Sequence, residues 1–120
     1  MSEIRELSVE FFKVLADQTR LEILYSLKEK ELTQLELVKK LAKKGLNNGK
    51  EFAQSTISQH LTKLKNSNLI DSELKNNVNH YKIKELEIFE MLNQFQVFIL
   101  KTNKERSSRL DEVDRLDTLF

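Results

Sequence analysis

Across 120 residues there is no proline, and glycine occurs only at Gly45 and Gly49. These two residue types are the commonest helix breakers. A chain rich in Leu, Lys and Glu that all but lacks them is therefore expected to be mainly helical. The length suits one domain over residues 1–120 with a core of its own. The 39% hydrophobic and 32% charged content places it among water-soluble folds. No run approaches the roughly 18 apolar residues that span a bilayer. The opening Met1-Ser2-Glu3-Ile4-Arg5-Glu6-Leu7 lacks the basic-then-apolar layout of a secretion signal. A cytoplasmic protein without a membrane partner is expected. The absence of cysteine excludes disulfides, zinc–thiolate sites and thiol chemistry.

Apolar spacing places the elements. Ile4, Leu7, Phe11, Val14 and Leu15 form the stripe of a first amphipathic helix. Asp17 is an N-cap candidate for a second helix carrying Leu21, Leu24, Tyr25 and Leu27. Thr33 and Glu36 form a capping box that opens a third, with Leu35, Val38 and Leu41 on its inner face and Gly45 as its stop. Residues 46–51 read as a polar loop. A fourth helix covers residues 54–66; Ala53 is a poor cap, so Ser55 or the backbone must compensate. Asn68 fits a left-handed terminator.

The period then changes. Residues 69–75 and 78–83 flank Asn76-Asn77, and two short extended runs around an Asn pair predict a β-hairpin. From residue 85 onward Leu86, Phe89, Leu92, Phe95 and Ile99 make a strong stripe. Ile88, Met91, Val97, Phe98 and Leu100 widen it, so this helix should be buried on more than one side. A weaker stripe, Leu110, Val113, Leu116 and Phe120, follows.

Three helices, a fourth after a turn, then a hairpin and a long helix is the plan of a winged helix-turn-helix. The fold class is mainly α with a small β-hairpin: helix-turn-helix at 33–66, wing at 69–83, long helices at both ends. In the DNA-binding form of this plan the second helix of the motif enters the major groove. Charge fits that use. Residues 1–37 carry net −3, residues 38–84 net +7 and residues 85–120 net −3, a basic centre suited to a polyanion.

The phase of residues 54–66 sharpens the expectation. Ile57, Leu61 and Leu64 fall together and face the core, while Ser55, Gln59, Thr62 and Asn66 lie opposite. Thr56 and Lys63 flank one side, Ser58 and Lys65 the other. This outer face has no acid. Its hydroxyls and amides suit base edges and phosphates, and its lysines suit phosphates. Candidate DNA-binding residues are Gln54, Ser55, Thr56, Ser58, Gln59 and Thr62, with Lys63 and Lys65. The wing adds Lys75, Asn76 and Asn77. Much of the surrounding positive charge comes from Lys39, Lys40, Lys43, Lys44 and Lys50.

Two stretches resemble a known family. Leu15-Ala16-Asp17-Gln18-Thr19-Arg20-Leu21-Glu22-Ile23-Leu24 is similar to the Leu-Ala-Asp-Pro-Thr-Arg-Leu-x-Ile-Leu signature of ArsR-type repressors. Gln54-Ser55-Thr56-Ile57-Ser58-Gln59-His60-Leu61 resembles that family's recognition helix, and Tyr81 matches a tyrosine common in the second wing strand. The resemblance covers about residues 10–100. It implies a homodimer joined through the first and last helices (residues 1–16 and 85–120) on a near-palindromic duplex. The interface would be built on Ile4, Leu7 and Phe11 and on Leu92, Phe95 and Ile99. Both helices carry more apolar surface than a domain this small can cover, which agrees. The chain departs from the pattern at Gln18, Ala53, Gln59, the longer turn at 46–52 and the Asn76-Asn77 wing tip.

Many members of that family sense metals. A metal site needs three or four ligands within reach, and the only histidines are His60 and His80. His60 lies about 60° from the core axis of its helix and reads as a packed boundary residue. His80 should be exposed on the hairpin. Asp111, Glu112, Asp114 and Asp117 read as a solvated acidic face. A transition-metal sensor is not expected, nor a resident cofactor. No nucleophile–base–orienter set or phosphate-cradling glycine loop points to an enzyme. The expected partners are double-stranded DNA and a second copy of the chain, with room for a small-molecule or protein effector. The competing reading is a winged-helix module that binds another protein through its apolar terminal helices.

Overall fold

Local capping chemistry starts most of the helices. In the computed structural model, which describes residues 2–103, α1 (Glu3–Leu15) begins after Ser2 and α2 (Gln18–Glu29) after Asp17. The Asp17 carboxylate accepts the Arg20 amide at 2.9 Å. Helix α3 (Gln34–Lys43) opens on the complete capping box: Thr33 Oγ1 accepts the Glu36 amide at 3.2 Å, and Glu36 Oε1 accepts the Thr33 amide at 2.9 Å. The Thr33 amide, with its hydroxyl, holds the Glu36 carboxyl below the usual carboxylate range. Helix α3 stops at Lys44, followed by Gly45 at φ 90°, a conformation that costs glycine nothing.

The expected loop after α3 is built as a turn. Residues Leu46–Gly49 form a short 3-10 segment in which Asn47 and Asn48 are left-handed, with φ of 54° and 57°. Asn is the side chain that best tolerates this region. The Asn47 amide braces the turn by donating to the carbonyl of Lys50 at 3.3 Å. Helix α4 (Gln54–Asn66) then starts without a side-chain cap. Ser55 does not compensate for Ala53; the Ala53 carbonyl simply accepts the Thr56 and Ile57 amides.

Strands β2 (Ile70–Lys75) and β3 (Val78–Ile83) pair antiparallel with Lys75 opposite Val78, closed by Asn76 and Asn77 at φ 50° and 62°. Two positive φ values in a two-residue loop are the type I′ geometry that matches strand twist. A third strand, β1 (Leu32–Thr33), adds to β3 with Leu32 opposite Tyr81, giving the order β1-β3-β2. Two residues are too few to show a period, so sequence patterning misses it.

The chain divides into two compact units, Met1–Glu85 and Leu86–Phe120. In the first, Ile23, Leu24, Leu37, Leu41, Ile57, Leu61, Leu64 and Ile70 are fully buried. Each such side chain contributes roughly 1.5–3 kcal/mol of burial. Two inner faces differ from expectation. In α2 the core residues include Ile23, while Leu21 and Tyr25 are only half-buried. In α3 Leu37 joins Val38 and Leu41, and Leu35 is exposed. At 100° per residue Leu35 sits about 110° from the centre of that face, which the 3-4 spacing conceals.

In the second unit, α5 (Glu87–Thr102) buries Ile88, Phe89 and Leu92. The expected burial on more than one side does not hold in the single chain. Leu86, Met91, Phe95, Val97, Phe98 and Ile99 are exposed, and Leu86 precedes the helix as its cap rather than belonging to its buried stripe. The Asn103 side chain closes the helix by donating to the Ile99 carbonyl at 2.9 Å. The stripe from Leu110 to Phe120 and the acidic group Asp111, Glu112, Asp114 and Asp117 lie outside the described residues. Among the described residues no helix is long and apolar enough to cross a membrane.

Candidate nucleic-acid interface

Burial of Ile57, Leu61 and Leu64 fixes the rotation of α4. Ser55, Ser58, Gln59, Thr62, Lys63, Lys65 and Asn66 are exposed as the phase predicts, and Thr56 is half-buried at the margin. The Thr62 hydroxyl donates to the Ser58 carbonyl at 2.9 Å. Its proton is used there, so it offers its lone pairs and its methyl outward. Lys65 Nζ donates to Ser72 Oγ at 2.7 Å, tying the helix to strand β2.

A buried arginine sets α4 against the first two helices. Arg20 is 7% exposed. Its Nε donates to the Val14 carbonyl at 2.6 Å and its Nη2 to the Lys13 carbonyl at 3.1 Å, satisfying two carbonyls at the end of α1. Its Nη1 lies 3.1 Å from His60 Nδ1 on α4. Guanidinium only donates, so Nδ1 accepts and His60 is neutral with its proton on Nε2. Burial holds the imidazole below the ordinary histidine range; Asp17 opposes this, and Arg20 and Lys63 reinforce it. His60 is thus a packed boundary residue. Arg20 stands in the first motif, but nothing in the sequence reveals which backbone groups it reaches.

The basic charge is less available than the sequence suggests. Lys40 Nζ lies 2.6 Å from Glu29 and Lys44 Nζ 3.5 Å from Glu22, so two of the five lysines around the turn face acids of α2. Lys39, Lys43 and Lys50 are exposed. On the wing, Lys75 Nζ lies 2.9 Å from Glu31 and 3.9 Å from Glu73. The Lys75 hydrogen bond holds the Glu31 carboxyl below its usual range, and Glu31 in turn raises the Lys75 ammonium. His80 is half-buried rather than exposed, with Nδ1 3.9 Å from the same Glu31 oxygen. Asn76 and Asn77 are exposed at the wing tip.

The residues expected to join two copies divide as well. On α1, Ile4 and Leu7 are 67% and 63% exposed, and Phe11 is half-buried. On α5, Phe95 and Ile99 are exposed, but Leu92 is only 8% exposed and already covered within its own chain. No three His, Asp or Glu side chains group as a metal site among the described residues.

No protein-family model and no curated protein sequence matches the chain. Solved structures do. The transcriptional regulator HlyU from Vibrio vulnificus is 30% identical, with 76% of this chain and 85% of that one covered and a TM-score of 0.55. Rv0081 of M. tuberculosis is 24% identical over 89% of this chain and 99% of that one, with a TM-score of 0.70. Mb0332 of Mycobacterium bovis, a homodimeric winged helix-turn-helix DNA-binding domain, is 20% identical over 82% and 87%, with a TM-score of 0.64.

Proposed function

Because the chain belongs to the ArsR-type class of winged helix-turn-helix regulators, we propose that it is a homodimeric, sequence-specific DNA-binding repressor that acts in the cytoplasm on its own organism's promoters. The observation that carries this reading is the acid-free outer face of α4, held outward by Ile57, Leu61 and Leu64. Ser55, Ser58, Gln59 and Thr62 present short polar groups to base edges in the major groove. Lys63 and Lys65 neutralise phosphates, and Asn76 and Asn77 at the wing tip bond the backbone of the adjoining duplex.

Two copies are needed for the proposed specificity. One α4 reads only a few base pairs, and a two-fold dimer reads two half-sites at a spacing set by the protein. The apolar surface exposed on α1 by Ile4 and Leu7, and on α5 by Phe95 and Ile99, supports dimerisation. An effector, small molecule or protein, would act by changing how the two α4 helices are presented.

A fluorescence titration of duplex from the promoter of its own gene tests the reading. Binding should weaken steeply between about 50 and 200 mM salt, as phosphate contacts release counterions. Absence of binding at the lower salt would overturn the proposal, and a stable complex with a different protein would then favour an interaction module.

A further inference from the structure

Gln34 and Gln54 are the first residues of α3 and α4, twenty positions apart in the chain. The Gln34 side-chain Nε2 lies 2.8 Å from the Gln54 backbone carbonyl and 2.9 Å from the Gln54 side-chain Oε1. This pair of bonds fixes the orientation of both amides. A backbone carbonyl only accepts, so the end of Gln34 that faces it is the nitrogen. That nitrogen has no lone pair to offer, so the end of Gln54 that faces it is the oxygen. The Gln54 Nε2, with both its hydrogens, is left pointing away from Gln34. Its residue is exposed at the start of the recognition helix.

We propose that Gln34 is a positioning residue for base readout: it holds the Gln54 amide with Nε2 outward, as a donor toward the N7 acceptor of a purine in the major groove. The proposal rests on the DNA-binding reading above and deepens it. Adenine suits the arrangement best. Its N7 accepts from Nε2, and its N6 amine donates to the lone pair of Oε1 that Gln34 leaves free. A glutamine free to rotate would present oxygen or nitrogen alike; one locked by Gln34 loses less freedom on binding and rejects the inverse pattern. Gln34 itself makes no base contact in this account.

The test measures binding of single-base variants of a selected site by the parent, Gln34→Ala, Gln54→Ala, their double variant and Gln34→Glu. Gln54→Ala should lose roughly 5- to 150-fold in discrimination at one base pair of each half-site, the range for one specific base contact. Gln34→Ala should blunt discrimination at that same base pair while leaving affinity for unrelated DNA and the salt slope unchanged. It should add nothing in the Gln54→Ala background. Gln34→Glu is the sharper variant. An acid is favourable in the first turn of a helix, so it should fold. Its carboxylate only accepts, so both the Gln54 backbone carbonyl and Oε1 repel it, and it cannot hold the Gln54 amide in the parent orientation. Preference at that base pair should then fall at least as far as in Gln34→Ala. Effects of Gln34→Ala and Gln54→Ala at different base pairs, independent additive losses, or an unchanged preference for Gln34→Glu would overturn the proposal. Failure of the parent to bind any duplex would remove the DNA-binding reading along with it.

Discussion

Replacing Arg20 by lysine keeps a positive charge and removes the fork that distributes it. In the parent, three nitrogens of one guanidinium serve the carbonyls of Val14 and Lys13 and the Nδ1 of His60. An ammonium on a shorter reach can keep one of these partners. Hydrogen bonds from a charged donor contribute about 1.5–3 kcal/mol each. Losing two therefore sets an upper range of roughly 3–6 kcal/mol, and water admitted to the vacated space reduces it to about 2–4 kcal/mol. Against a total stability of about 5–15 kcal/mol this is a large share. Chemical denaturation of Arg20→Lys should show an unchanged slope and a midpoint lowered by that amount divided by the slope. Arg20→Ala should lose more, because it also strips Asp17 of its neighbour at 3.7 Å. A double-mutant cycle with His60→Ala should return a coupling of about 1.5–3 kcal/mol. An Arg20→Lys variant within about 0.5 kcal/mol of the parent would show that the guanidinium fork contributes nothing, since surface changes of no consequence fall in that band.

Four further outcomes are expected. Since burial depresses the His60 imidazole, the unfolded chain binds more protons than the folded one in the window below 6.5. Stability is therefore full above that value and falls as pH drops through the folded-state value; His60→Asn, which keeps an acceptor near Arg20 but does not titrate, should flatten thermal midpoints recorded from pH 7 to 5. In a dimer each lysine counts twice, so Lys63→Ala should reduce the magnitude of the log–log salt slope by about 1.8. Lys40→Ala, whose ammonium faces Glu29 at 2.6 Å, should leave that slope unchanged. Leu7→Glu should shift sedimentation from dimer to monomer by roughly a hundredfold or more in dissociation constant, because a two-fold interface carries the substitution twice.

What the sequence makes legible is what short-range chemistry decides. Asp17, the Thr33–Glu36 box and the Asn76-Asn77 turn each act across two or three residues, and all three form as their spacing predicts. The rotation of α4 is legible for the same reason, because Ile57, Leu61 and Leu64 leave one solution. Features that depend on tertiary approach are not. Strand β1 exists only because Leu32 and Thr33 meet β3. Whether a lysine is available depends on which acids α2 brings near: Lys40 and Lys44 meet Glu29 and Glu22, a pairing that charge counting cannot see. The inner face of α3 misleads because Leu35 and Leu37 both lie within one turn of Val38 and only packing chooses between them. The Gln34–Gln54 pair belongs to the same class, two polar residues twenty positions apart whose relation appears only when α3 and α4 are packed together.

In the proposed complex a dimer reads duplex DNA through the outer face of α4. Selection of bound sites from a random duplex pool tests this. Recovery of an inverted repeat is expected, with half-sites about one helical turn, or a multiple of it, apart, and with information concentrated at positions that Gln59→Ala or Ser58→Ala erases. Recovery of no motif at all, or of a motif indifferent to every substitution on α4, would contradict it.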